Sequence, residues 1–154
     1  MPYEGELLRE CPGRIFDFSR SYAVVVSGDD LLPHVLHNKW GHMLLNTGGP
    51  GGYYFQTGGP SPYDFPRVMN EAQFRRYLEE HSKIIVTVIR VHIPNPEKSQ
   101  LRLEQLVAKK RLWLGVVHNC ESLVEDVVMA GGGPRLHTGV LSLPMNSTNQ
   151  CARW

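Results

Sequence analysis

Apolar residues along the chain fall into two rhythms, one suited to strands and one to helices. Ser21 to Ser27, SYAVVVS, is a β-branched run closed by Gly28, Asp29 and Asp30, which predicts a strand and a turn. Trp40 to Asn46, WGHMLLN, and Tyr53 to Thr57, YYFQT, are two further apolar runs. Gly48, Gly49, Pro50, Gly51 and Gly52 between them predict a hairpin. Lys83 to Ile93, KIIVTVIRVHI, is the clearest strand, with the nearly continuous β-branched residues that a central strand needs. The helical rhythm begins at Asn70, where NEAQFRRYLEEHS offers an N-cap and an amphipathic helix with Phe74, Tyr77 and Leu78 inward. Ser99 to Arg111 predicts a second helix, with Leu101, Leu103, Leu106 and Val107 available for its buried side.

Trp113 to Gly133 changes rhythm part-way. Leu114, Val116 and Val117 form a strand-like approach, and then Leu123, Val124, Val127 and Val128 recur at helical spacing until Gly131, Gly132 and Gly133 stop the helix. Leu31 to Lys39 predicts a helical turn, Ser61 to Pro66 a loop, and His137 to Leu143 a short strand. The order of elements predicts an α+β fold in which helices pack against a mostly antiparallel sheet. One domain spans residues 1–154, with an irregular arm at 1–20, a core at 40–133, and a terminal strand and tail at 134–154.

Composition narrows the class of partner. Hydrophobic residues make up 42% and charged residues 20%, with no apolar run of the about 20 residues that a bilayer-crossing helix needs, so no stable membrane insertion is expected. A net charge of +1 gives no general pull toward nucleic acid, and Lys109, Lys110 and Arg111, the densest basic cluster, read as a solvated helix end. The three cysteines, Cys11, Cys120 and Cys151, are too few for a disulfide scaffold and lack zinc-site spacing. The opening residues carry acidic side chains and a proline in place of a secretion signal's basic segment and apolar core. The expectation is a soluble protein that is cytoplasmic or exported by a route reading no such signal.

Cys120 is where this pattern meets chemistry. It stands at the change from strand-like to helical rhythm, where Asn119 can cap the new helix and exposed N–H groups and the positive dipole end favour a thiolate. A cysteine nucleophile needs a base, and His42, at the start of a strand beside Gly41, is the best placed histidine. On their own, such residues fit a small buried thiol and a hydrogen-bonded structural histidine better than a catalytic pair.

HNCESLVEDVV, from His118 to Val128, together with NKWGHMLLNTGG upstream, resembles the lecithin retinol acyltransferase-like proteins. These are the circularly permuted branch of the NlpC-like, papain-related cysteine hydrolases. The resemblance covers roughly Trp40 to Gly133 and implies a papain-like fold of the permuted NlpC type, with Cys120 as nucleophile, His42 as general base, and Asn119 and Glu121 as motif neighbours. The family usually carries a second histidine or another polar residue on the strand after the first histidine. Here that strand is YYFQT, so Gln56 is the third catalytic candidate, Tyr54 follows it, and Asp64 is an alternative from elsewhere. Trp40, Tyr54 and Asn119 are the candidates for contact with substrate.

The expected function is a cysteine hydrolase or acyltransferase acting at an amide, ester or thioester, with no cofactor. The partner is then a peptide, protein or acyl-containing substrate. A bacterial effector or cell-wall amidase fits the family's range, with an inhibitor or immunity protein as a further partner if the role is that of a toxin. The alternative is a papain-like interaction module without turnover. His34, His37 and His42 have no acidic or thiol ligand spaced with them, so no metal is expected. TGGPGG and TGGP lack the lysine and hydroxyl residue of a phosphate loop and read as connecting turns or a flexible flap over the cleft.

Overall fold

A six-stranded sheet is the frame of the protein, and every pairing within it is antiparallel. The computed structural model describes residues 3–8, 14–26, 42–58, 65–108, 120–134 and 136. Its strands are β1 (Glu6–Leu7), β2 (Ser21–Val26), β3 (His42–Thr47), β4 (Tyr53–Gly58), β5 (Phe65–Met69) and β6 (Ile85–Val91). Its helices are α1 (Glu71–Glu80), α2 (Pro96–Ala108) and α3 (Cys120–Ala130). The strand order is β1-β5-β4-β3-β2-β6, so the architecture is α+β with an antiparallel sheet, as the element order predicts.

Strand alternation divides the core into two layers. Ala23, Val25, Met43, Leu45, Phe55 and Val68 pack with Leu103 and Leu106 of α2 and with Leu123, Val124, Val127 and Val128 of α3. Val24, Val26, Leu44, Tyr54 and Met69 pack on the opposite face with Phe74 and Tyr77 of α1. Alternation apart, all six residues of β3 are buried, as expected of a strand covered on both faces.

The hairpin forms as its glycines predict, with Thr47 opposite Tyr53. The helix after Asn70 also forms where its pattern places it. The Asn70 side chain accepts from the Gln73 N–H at 2.8 Å, and the Gln73 side-chain oxygen accepts from the Asn70 N–H at 2.8 Å. This reciprocal pair satisfies two donors that a helix start otherwise leaves open. Asn70→Ala is expected to lower stability by about 1 kcal/mol, and Asn70→Asp to retain most of it. Chemical denaturation of the two variants checks both.

Several expectations change. β6 lies at the end of the sheet and not at its centre, with Ile84, Ile85, Val86 and Val88 exposed. β-branched content reports a good fit to a pleated surface, which an edge position also provides. β5 begins within the segment that reads as a loop, because FPRVM is short and its proline masks the alternation. The arm is not wholly irregular either: Glu6–Leu7 pairs with Val68 and Arg67, and Leu8, Phe16 and Phe18 are core residues. Helix α2 starts earlier than predicted, with Pro96 in its first turn, where a missing N–H is tolerated. Leu101 is exposed, since Ser99, Leu103 and Leu106 take the inward face. The predicted elements at Leu31 to Lys39, Leu114 to Val117 and His137 to Leu143 lie outside the described residues.

Helices α2 and α3 are locked to each other. The Ser99 hydroxyl donates to the Val127 carbonyl at 2.7 Å, and Arg102 grips the Asp126 carboxylate through two contacts of 3.0 and 2.8 Å. Beyond α3, Gly131 approaches so closely that a Cβ there would stand 2.3 Å from the Ser99 hydroxyl oxygen. Among the described residues no helix is long and apolar enough to cross a membrane.

Candidate functional site

His42 opens β3, and the strand's alternation decides where its ring goes. Met43 and Leu45 face α3, whereas Leu44 faces Phe74 and Tyr77 of α1. His42, two residues before Leu44, shares the α1 face. Gln56 on β4 alternates with Phe55 and so shares that face as well. The register that sets Leu45 opposite Phe55 makes His42 and Gln56 diagonal neighbours across the ladder. Their side chains meet, with His42 Nε2 2.6 Å from Gln56 Oε1, and both residues are buried.

Burial governs the imidazole. Desolvation by burial, reinforced by the Lys83 ammonium and to a smaller extent by His81, brings its pKa down to about 3. The Gln56 hydrogen bond opposes them and does not win. His42 is therefore a neutral ring at neutral pH. Lys83 is itself buried, in the four-residue link, 81–84, between α1 and β6.

The arm completes the surroundings. Gln56 Nε2 donates to the Glu4 carbonyl at 2.8 Å and lies 3.4 Å from the Glu4 carboxylate. That carboxylate also pairs with His81 Nε2 at 3.2 Å. Nearby, the buried Tyr77 hydroxyl has no hydrogen-bond partner among the described residues, and burial together with the Glu4 charge pushes its pKa far upward. Tyr54 packs its ring on Phe74 at 3.9 Å, and its hydroxyl donates to Glu71 at 2.9 Å. Burial and the Glu71 hydrogen bond raise its phenol pKa well above the ordinary value.

Cys120 is the first residue of α3, the position at which backbone N–H groups are open and the dipole is positive. Its side chain lies outside the described residues, as do Trp40, Asp64, Asn119 and the side chain of Glu121. Helix α3 packs over β3 and β4, the strands that carry His42 and Gln56. Its far end is tied down where the Gly131 carbonyl accepts from the Asn95 N–H at 2.9 Å. The residues by which α3 packs, however, meet the sheet face opposite the His42 ring.

Comparison with family models, with curated proteins and with solved structures finds no match. Of the predicted catalytic residues, His42 and Gln56 are brought into contact, and Cys120 is placed at a helix start. Of the predicted substrate contacts, only Tyr54 is described, and it is a core residue with an occupied hydroxyl. The sequence pattern does not reveal Glu4, His81 or Lys83. Lys83 reads as the polar end of a strand, and Glu4 as part of a charged arm. Among the described residues no group of three His, Cys, Asp or Glu side chains is disposed to hold a metal ion.

Proposed function

We propose that the protein is a cysteine hydrolase or acyltransferase with a papain-like core of the circularly permuted NlpC type. The observation that carries this reading is the 2.6 Å contact between His42 and Gln56, the pair that the family resemblance requires on consecutive strands. In the proposed reaction the Cys120 sulfur attacks the carbonyl carbon of an amide, ester or thioester as its proton passes to His42. His42 returns the proton to the leaving group, and water or an amine then takes the acyl group from sulfur. Backbone N–H groups at the start of α3 would hold the oxyanion. The neutral His42 ring is in the form that accepts a proton, and a thiolate beside it would raise its low pKa. An effector acting on protein side chains or an amidase acting on cell-wall peptide fits this chemistry.

One observation favours a second reading, a papain-like interaction module without turnover. The His42 ring faces α1, whereas α3 packs on the other side of the sheet. A thiol-directed electrophile separates the two readings, with mass spectrometry assigning the site. The catalytic reading expects Cys120 to be labelled rapidly below neutral pH. The rate should drop about a hundredfold in His42→Ala, in line with the usual contribution of a general base. Labelling at the rate of an ordinary exposed cysteine in both proteins leaves the interaction module.

A further inference from the structure

The arm at residues 3–8 does more than close the sheet edge. Every residue from Tyr3 to Leu7 is pinned. The Tyr3 N–H donates to Glu80 at 3.2 Å, its carbonyl is 3.0 Å from His81 Nε2, and the Arg76 guanidinium lies 4.3 Å from its ring centroid. Glu4 pairs with His81 at 3.2 Å, the Gly5 carbonyl accepts from Arg67 at 2.8 Å, and Glu6 and Leu7 ladder onto β5. Gly5 makes the turn possible. Its φ of +101° is unfavourable for a side chain, and a Cβ there would stand 3.0 Å from Met69 Cγ and 3.3 Å from the Val68 carbonyl oxygen.

The strap thus delivers the Glu4 carbonyl to the Gln56 amide, which has consequences for His42. A carbonyl and a carboxylate both accept hydrogen bonds, so the group of Gln56 facing Glu4 must be its NH2. Its oxygen is then the atom 2.6 Å from His42 Nε2. An amide oxygen only accepts, so Nε2 must carry the ring hydrogen of the neutral imidazole, and Nδ1 carries the lone pair.

We propose that Glu4 and the strap around it are a positioning element that fixes His42 as the Nε2–H tautomer through Gln56, presenting Nδ1 as the proton-accepting atom. The tautomer assignment stands by itself, and its use as a base rests on the catalytic reading above. Glu4 is a positioning residue, since it acts only through Gln56.

Ring 15N chemical shifts of His42 at neutral pH test this directly. The wild-type protein is expected to show a pyridine-like Nδ1 and a pyrrole-like Nε2. Gly5→Ala, which forces the strap off its course, should draw the two signals together as the tautomers mix. If Gly5→Ala fails to fold, His81→Ala unlatches Tyr3 and Glu4 without touching the β1 ladder and is expected to mix them too. His81→Gln, which keeps a donor, should restore the single tautomer. An unchanged tautomer in Gly5→Ala and His81→Ala, or a wild-type ring protonated on Nδ1, overturns the inference. The measurement does not involve Cys120. A locked tautomer beside an unreactive thiol therefore upholds the positioning role and removes only the catalytic reading.

Discussion

Between pH 6.5 and about 3, the buried His42 is expected to remove stability at about 1.4 kcal/mol per pH unit. The folded ring resists protonation because burial and the Lys83 ammonium disfavour its charged form, whereas the unfolded ring protonates near 6.5. Below that value the unfolded chain binds a proton that the folded chain does not, and the balance moves toward unfolding. The contribution is negligible above pH 6.5 and reaches about 5 kcal/mol once the pH has fallen to the folded pKa of about 3. That is as large as the whole stability of many domains.

Urea unfolding at about pH 7 and about pH 5, for the wild type and His42→Gln, isolates the effect. The wild type should lose about 2 kcal/mol more than the variant between the two conditions. Groups other than His42 are common to both proteins, so the difference isolates residue 42. Equal losses in the two proteins would mean that His42 is solvated or already charged in the folded state.

Phe55→Ala is expected to lower stability by about 3 to 5 kcal/mol, the range for deleting a large aromatic from a packed core. Phe55 is 1% exposed, meets Phe16 edge-on at 4.6 Å and stacks on Phe18 at 6.1 Å. Phe16 and Phe18 belong to the arm, so the substitution removes the ring against which that segment packs. Phe55→Leu keeps most of the volume and should lose much less, about 1 to 2 kcal/mol. Guanidinium denaturation measures both. A loss below about 1 kcal/mol for Phe55→Ala would show that the arm does not pack on β4.

The parts of the fold legible in sequence are those built from neighbours along the chain. The Asn70 cap is readable because an N-cap and its N3 partner are three residues apart. The β3 to β4 hairpin is readable because glycines set the turn. Gln56 is named from the family resemblance, and the register of that hairpin is what brings it to His42. The inward stripe of α3, Leu123, Val124, Val127 and Val128, follows from its helical period.

Other features depend on contacts that no local pattern encodes. The β-branched run of β6 has the same appearance whether the strand is central or at the edge, and pairing to β2 alone places it at the edge. β5 holds together because β1 and β4 flank it, not because FPRVM favours a strand. Lys83 is buried in the link between α1 and β6 and acts electrostatically on His42, which lies two strands away from β6, and no rule of composition predicts a buried lysine there.

The chain's sequence by itself determines the β3 to β4 hairpin, the capped start of α1 and the apolar stripes of α1 and α3. Those properties depend on backbone periods of 3.6 and 2 residues and on turn chemistry, all of which act over a few residues. Only the tertiary structure decides the sheet order, the neutrality of His42, the strap that orders Gln56, and the packing of α3 on the opposite face from the His42 ring. A side chain's partners across the sheet, and the water it loses, are set by segments far away in sequence. That last decision bears on the stretch from His118 to Val128: its helix start suits a nucleophile, and its packing stripe meets the sheet face across from the His42 ring.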